Sequence, residues 1–293
     1  MEMFDQNLDF EFEGLGRKPG LSGAMARISV SGVQEKFPAL IENGRLRIAD
    51  ASERSTHILK PAPWDETLDN RKFLPANEYL TMQIASEVYG IETAENTLCF
   101  TSRHKGPVYV TRRFDLRQDG GKYLMEDFAS IMNLSNPNDK YTGCYLDVAN
   151  ALRRYVPAWM VDMERLFTLI VFNYIYCNGD AHLKNFSLIT KDSERRLCPA
   201  YDLLNTALHV KGDAFALEGG LGEGFEKYPN RKDFEEFGRL IGLKSKRVEN
   251  ILDKFVIFPQ RAAELLNRSF LPDKLRRIYR REVEERIRLF NRQ

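Results

Sequence analysis

The constraint that narrows the fold most is a change of hydrophobic period near residue 130. Up to that point, short runs rich in β-branched and aromatic residues alternate with turn residues. They fall at 28–30, 34–41, 56–60, 97–101, 108–114 and 122–125, with turns at Ser31-Gly32, Asn43-Gly44 and Lys105-Gly106. One helix interrupts them at 75–89, with Pro75 in its first turn, Leu80, Ile84, Ala85 and Val88 along one face, and Gly90 as its stop. After residue 130 the spacing is helical: 147–155, 160–177, 231–240, 245–255 and a charged helix from 272 onward. The first 27 residues are acidic and then glycine-rich (Gly14, Gly16, Gly20, Gly23), and read as an arm or a short docking strand. The expected organisation is therefore an arm over 1–27, a β-rich N-lobe over 28–130 and a helical C-lobe over 131–293, an α+β two-lobe fold with its site in the cleft.

Composition excludes several function classes. With 43 Lys and Arg against 42 Asp and Glu, no long-range field gathers nucleic acid, so contact with DNA is expected only through a partner. Cys99, Cys144, Cys177 and Cys198 form no CxxC pair, which argues against a zinc site or a disulfide framework and fits a reducing compartment. The start, acidic and without an apolar run, is unlike a signal peptide, and a cytoplasmic protein is expected. The longest apolar stretch, Leu166 to Cys177, is broken by Asn173 and is too short to span a bilayer, so it reads as a buried core helix.

The most informative segment follows that helix. The helix is expected to end at Asn178-Gly179, where glycine admits a left-handed backbone, and the chain enters a polar loop holding Asp180, His182, Lys184 and Asn185. An Asp followed after four residues by an Asn matches the catalytic loop of protein kinases, where the Asp takes the proton of the acceptor hydroxyl and the Asn binds magnesium. A second carboxylate, Asp202 after Tyr201, follows an intervening hairpin and completes a pair of hard oxygen ligands. Upstream, Lys60 closes a strand and Glu78 lies on the next helix, placed to form the ion pair that positions nucleotide phosphates. Each residue alone has an ordinary explanation as a cap, a turn or a solvated charge; their joint order points to phosphoryl transfer. His182 supports the loop or faces the phosphates, the first being favoured. Gly219, Gly220, Gly222 and Gly224 resemble a phosphate cradle but open no clear helix, and a hairpin or substrate-facing loop is expected there instead. The charges of the C-terminal helix balance, as on a solvated amphipathic face.

Together, Ser29 to Lys36 (SVSGVQEK), Ser55 to Pro61 (STHILKP), Asn77-Glu78, Arg112 to Asp115, Glu126-Asp127, Asp180 to Ser187 (DAHLKNFS) and Tyr201-Asp202 resemble the HipA kinases of bacterial toxin–antitoxin systems. The resemblance runs from about residue 28 to 202 and continues more weakly beyond. It implies a kinase-like fold using ATP and magnesium. The nucleotide loop would be Ser31, Gly32, Val33, Gln34, Glu35 and Lys36, with phosphate contact by Lys60 and adenine contacts from Glu126, Asp127 and Phe128. His182, Lys184 and Tyr201 would join the nucleotide site, Asp180 would act as base, and Asn185 and Asp202 would hold the metal. It also implies autophosphorylation in the loop, for which Ser29 and Ser31 are the matching positions, and the added charge would oppose ATP binding.

Only about 27 residues precede the loop, so the chain looks most like the short HipT branch, in which a HipS-like small protein supplies the extra N-terminal domain. That branch implies a HipB-like DNA-binding antitoxin as partner and an aminoacyl-tRNA synthetase, tryptophanyl or glutamyl, as target. Two other readings compete: a small-molecule phosphotransferase with a similar cleft, and a pseudokinase that only binds an antitoxin.

Overall fold

The computed structural model describes residues 6–8, 26–27, 34–101 and 106–292. Its larger sheet is built from β1 (Asn7–Leu8), β2 (Ala26–Arg27), β3 (Glu35–Glu42), β4 (Arg45–Ile48), β5 (His57–Lys60), β6 (Asn96–Thr101) and β7 (Pro107–Arg112). The order is β1-β6-β7-β5-β3-β2, with β4 also on β3. All pairings are antiparallel except β1 with β6. Residues 7–8 and 26–27 thus belong to the sheet, as a docking strand would; the strand expected at 28–30 lies outside the described residues. β4 was not anticipated because its Arg-Leu-Arg-Ile offers only two apolar residues to an alternation.

The pleat decides what each face carries. Phe37 pairs with Leu59, and both bury against Leu8, Leu46, Cys99, Val108 and Val110. Lys60 pairs with Tyr109 one position further, on the opposite face, and alternation sends Lys36 to that face too. One side of the sheet is therefore a dry core and the other aims two lysines at the rest of the molecule.

Helix α1 (Leu74–Tyr89) fills the space between that sheet and the helices. Gly90 ends it at φ 66°, the left-handed stop expected from sequence. Its burial differs from expectation: in place of one apolar face, Asn77, Glu78 and Thr81 are buried together with Leu80, Met82, Ile84 and Ala85. The Thr81 hydroxyl lies 3.0 Å from that of Tyr279, and the Tyr89 ring stacks on Phe255 at 4.4 Å.

A smaller sheet, β10-β9-β8, comprises β8 (Leu124–Asp127), β9 (Ser187–Lys191) and β10 (Glu194–Leu197). It crosses the boundary expected near 130, since Asp127 pairs with Ser187 and Met125 with Ile189. Asp192 and Ser193, at φ 48° and 68°, form the two-residue turn between β9 and β10. The helices are α2 (Phe128–Ile131), α3 (Tyr145–Tyr155), α4 (Trp159–Ile175), α5 (Arg231–Leu240), α6 (Ser245–Leu252), α7 (Gln260–Arg268) and α8 (Asp273–Phe290).

α4 is the apolar axis of this half, and α8 lays Leu275, Tyr279, Val283, Ile287 and Phe290 into the core. α8 is thus solvated on one face, as expected of an amphipathic helix. α7 was not anticipated, having just Ala262 and Leu266 buried. Among the described residues no helix is long and apolar enough to cross a membrane.

α5 and α6 approach closely at Gly238, where a Cβ would meet Val248 Cγ2 at 2.6 Å and a Phe167 ring carbon at 3.4 Å. Gly238→Ala should overpack this contact and destabilise the fold by about 1–3 kcal/mol, read as a lower urea midpoint with an unchanged m-value.

Candidate active site

The loop after α4 is shaped by neighbours more than by its own glycine. Cys177, not Gly179, takes the left-handed conformation, at φ 56°. Gly179 is needed for space, since a Cβ there would lie 3.1 Å from the Asp213 carbonyl oxygen and 3.2 Å from Thr206 Oγ1. Its N–H donates to Thr206 Oγ1 at 2.9 Å. Asn178 Nδ2 donates to Asn173 Oδ1 at 2.9 Å, and Asn178 Oδ1 accepts from the Asp180 N–H at 3.3 Å. Asn173, which reads in sequence as a break in an apolar run, is thus an anchor for the loop; a lone amide in a buried helix was the signal. Tyr145 donates to the Ala181 carbonyl at 2.8 Å, and Asn185 Oδ1 accepts from the His182 N–H at 3.1 Å.

Asp180 is 8% exposed, and Tyr141 donates to its Oδ1 at 3.3 Å. Neither Tyr141 nor its neighbour Lys140 belongs to a motif, and both were missed.

Asp202 is placed by a second set of bonds. The chain before it is pinned where Ala200 donates to the Glu92 carbonyl at 2.7 Å and accepts from the Ala94 N–H at 2.9 Å. Tyr201 donates to the Lys184 carbonyl at 2.9 Å and so accepts from Ser187 Oγ at 2.6 Å, lacing the two loops. Asp202 itself is held at φ 56°, uncommon for a residue with a side chain and a mark of local strain.

Four charges then meet with little water. Lys60 Nζ lies 2.5 Å from Glu78 Oε1 and also bonds Asp202 Oδ1. Lys36 Nζ reaches Asp202 Oδ2 at 3.0 Å. Burial opposes the Asp202 charge, but Lys36 and Lys60 hold its carboxyl far below the usual range. Burial likewise opposes the charge on Lys60, yet Asp202 and Glu78 push its pKa up. Lys36 is lowered by burial and by Lys60, and Glu78 is raised by burial and by Asp202. Asn77 completes the frame, its Nδ2 donating to the Asn205 carbonyl at 2.8 Å and its Oδ1 accepting from the Asn205 N–H at 3.2 Å.

The structure thus brings Lys36, Lys60, Glu78 and Asp202 together, with Asn185 Nδ2 3.5 Å from Asp202 Oδ2. A carboxylate that attracts two ammonium groups, beside an amide, is donor chemistry that suits a magnesium ion. Gln34 sits at the edge of this cluster, tying the start of β3 to the Pro61 carbonyl at 3.0 Å, and Glu35 accepts from the Trp64 N–H at 3.4 Å. Lys184 is exposed.

In the expected adenine segment the side chains are otherwise engaged: Glu126 pairs with Arg195 at 2.7 Å, Asp127 caps α2 by accepting from the Ser130 N–H at 2.8 Å, and Phe128 is fully buried. Ser29, Ser31, Gly32 and Val33 lie outside the described residues. The glycine run braces the start of α3, where Tyr145 N–H donates to the Gly220 carbonyl at 2.9 Å and Gly219 N–H to that of Gly143 at 2.9 Å.

His182 is buried, and burial, with Lys140 and Lys184 nearby, pulls it down to about 3. Burial lowers His209 as well. For His182 the unfolded chain binds a proton between about 3 and the ordinary value of 6.5 that the folded chain refuses. Stability from this source is therefore present at neutral pH and lost as pH falls through that window. Urea titrations should show unfolding free energy declining below about pH 6.5 by up to about 1.4 kcal/mol per pH unit for each such histidine, and His182→Gln should flatten the slope.

With this geometry in place, similarity to known proteins becomes informative. A protein of Haemophilus influenzae, provisionally named a kinase, is 27% identical over 271 residues, covering 84% of this chain and 76% of that protein. The serine/threonine-protein kinase toxin HipA of Shewanella oneidensis is 25% identical over 207 residues, which is 62% of this chain and 44% of the toxin. Among solved structures, the Shewanella oneidensis MR-1 complex of HipA, HipB and its operator DNA contains a chain that superposes with a TM-score of 0.72 at 21% identity, covering 96% of this chain and 67% of that one. The fold is therefore the α+β, kinase-like fold of HipA. Residues 28–261 match the HipA-like C-terminal domain, and the chain belongs to that family.

Proposed function

We propose that the chain is an ATP- and magnesium-dependent protein serine/threonine kinase acting as the toxin of a toxin–antitoxin system. The observation that carries this reading is the meeting of Lys60, Glu78, Asp202 and Asn185 in one cluster, with Asp180 on the loop that leads to Asn185. Lys36 and Lys60 supply positive charge for the phosphates of ATP, and Glu78 fixes Lys60 from behind. Asp180 takes the proton of the acceptor hydroxyl as its oxygen bonds to the γ-phosphorus; the bond to the β-phosphate oxygen breaks, and ADP leaves with that electron pair. Asn185 and Asp202 would hold a magnesium ion, which would supply charge neutralisation for the phosphates.

The kinase name of the Haemophilus relative and the serine/threonine specificity of the Shewanella toxin support a protein acceptor. A serine in the loop, Ser29 or Ser31, is the proposed site of self-modification. The neighbouring complex with HipB and DNA supports a HipB-like antitoxin that provides the DNA contact. An aminoacyl-tRNA synthetase as target, tryptophanyl or glutamyl, a HipS-like accessory protein and membership of the HipT branch are the finer parts of the proposal and rest on sequence resemblance. Action in the cytoplasm is part of the proposal and rests on the sequence, in which the four cysteines form no CxxC pair.

Incubation with magnesium and labelled ATP, followed by intact-mass and peptide analysis alone and with a panel of synthetases, tests the proposal. Label is expected on Ser29 or Ser31 and on one synthetase. Asp180→Asn should lower transfer by about a hundredfold or more while leaving the thermal transition in place. Wild-type rates in that variant would remove Asp180 from its role, and label on a small alcohol alone would replace the protein kinase with a small-molecule phosphotransferase.

A further inference from the structure

The short turn Pro137–Tyr141 lies against the loop that carries Asp180 and His182, and it is built independently of the motifs. Asp139 Oδ2 accepts from the Asn136 N–H at 3.1 Å, closing the turn at its start. Its end is tied where Thr142 N–H donates to the Asp139 carbonyl at 3.0 Å and Glu218 N–H donates to that of Tyr141 at 2.9 Å. Two side chains leave this braced turn toward the site. Tyr141 donates to Asp180 Oδ1 at 3.3 Å, and its ring meets His182 edge-on at 5.3 Å. Lys140 Nζ lies over that same ring, 4.9 Å from its centroid.

We propose that this turn is the acceptor-side wall of the active site, in which Tyr141 positions the Asp180 carboxylate and Lys140 binds the phosphoryl group as it moves. The inference rests on the kinase reading given above. A carboxylate has four lone-pair sites, so a bond from Tyr141 steadies the base without consuming it. The bond also fixes the rotamer from which Asp180 must reach an acceptor hydroxyl, and such orientation governs rate more than substrate affinity.

Lys140 meets a different need. Held over the Tyr141 ring, it sits beside the residue that bonds Asp180; burial, with Lys184 and Lys36 adding to it, weakens its hold on a proton against the pull of Asp180. Lys36 is already paired with Asp202, whereas Lys140 is held by the Tyr141 ring and is not engaged by that carboxylate. A phosphoryl group in transfer, with charge on its three peripheral oxygens, is the anion whose chemistry fits. Stacking on Tyr141 holds the ammonium in place before that charge arrives.

The test compares the full chain with Tyr141→Phe, Lys140→Ala and Lys140→Arg, using labelled magnesium-ATP to follow self-phosphorylation and ATP turnover. Tyr141→Phe removes only the hydroxyl and keeps the ring under Lys140. It should lower kcat by about tenfold, the loss expected for one hydrogen bond to a charged group, with KM for ATP within about twofold and the unfolding midpoint unchanged. Lys140→Ala should lower kcat by a similar factor, and Lys140→Arg should restore most of it. An active wild type with Tyr141→Phe at full kcat, or with Lys140→Arg no better than Lys140→Ala, overturns this inference alone. A wild type that transfers no phosphate at all overturns the kinase reading and this inference with it.

Discussion

Everything in the site depends on the burial of Lys60 between two carboxylates. A lysine 3% exposed would shed its proton without compensation, and Glu78 and Asp202 provide that compensation. The arrangement is costly to assemble, because each charge must leave water, and removing one partner leaves another buried without a counter-charge. The three groups come from a strand, a helix and a loop separated by up to 142 positions in the chain. Their meeting therefore fixes three elements at once. It also explains the burial of polar residues on α1, since a helix that must present Glu78 to a dry cluster cannot leave that face to solvent.

A second layer of uncharged polar groups keeps the charges in register. Asn77, Asn173, Asn178, Asn185 and Thr206 each bond main-chain atoms or one another, and nearly all of them are buried. Such amides satisfy donors and acceptors that the irregular loops leave over, where a helix or sheet would have satisfied its own. The left-handed backbones of Cys177 and Asp202 persist because these bonds over-determine them.

How much of this was legible in the sequence follows from range. Alternation and turn residues are local, so β3, β5, β6 and β7 were readable, as was Gly90 as a stop. The spacing of Asp180, Asn185 and Asp202 was readable because one loop and one hairpin set it. Tyr141 and Lys140 were not, because a tertiary contact with Glu218 ties their turn beside Asp180 and no spacing records it. Asn173 looked like an interruption because the sequence shows its polarity and hides Asn178, the partner that justifies it. Gly179 was assigned the backbone freedom that Cys177 uses, since crowding by Thr206 and Asp213 is invisible before the fold is known. The burial of the Phe128 ring was hidden for a similar reason, since the core it enters is assembled from distant parts of the chain.

The hairpin of β9 and β10 has a consequence for altering the chain. At its near end Ser187 pairs with Asp127, two residues past Asn185, so the distance from the Asp180–Asn185 loop to the Glu126–Phe128 segment is fixed by a hydrogen-bonded ladder. A one-residue change of length there would reverse the faces of the strand. At its far end the hairpin closes through Asp192 and Ser193, both left-handed and outside the ladder. Chain length is thus free to vary at the tip and frozen at the base, which makes the tip the natural place to graft a reporter that leaves the spacing between Asn185 and Asp127 untouched.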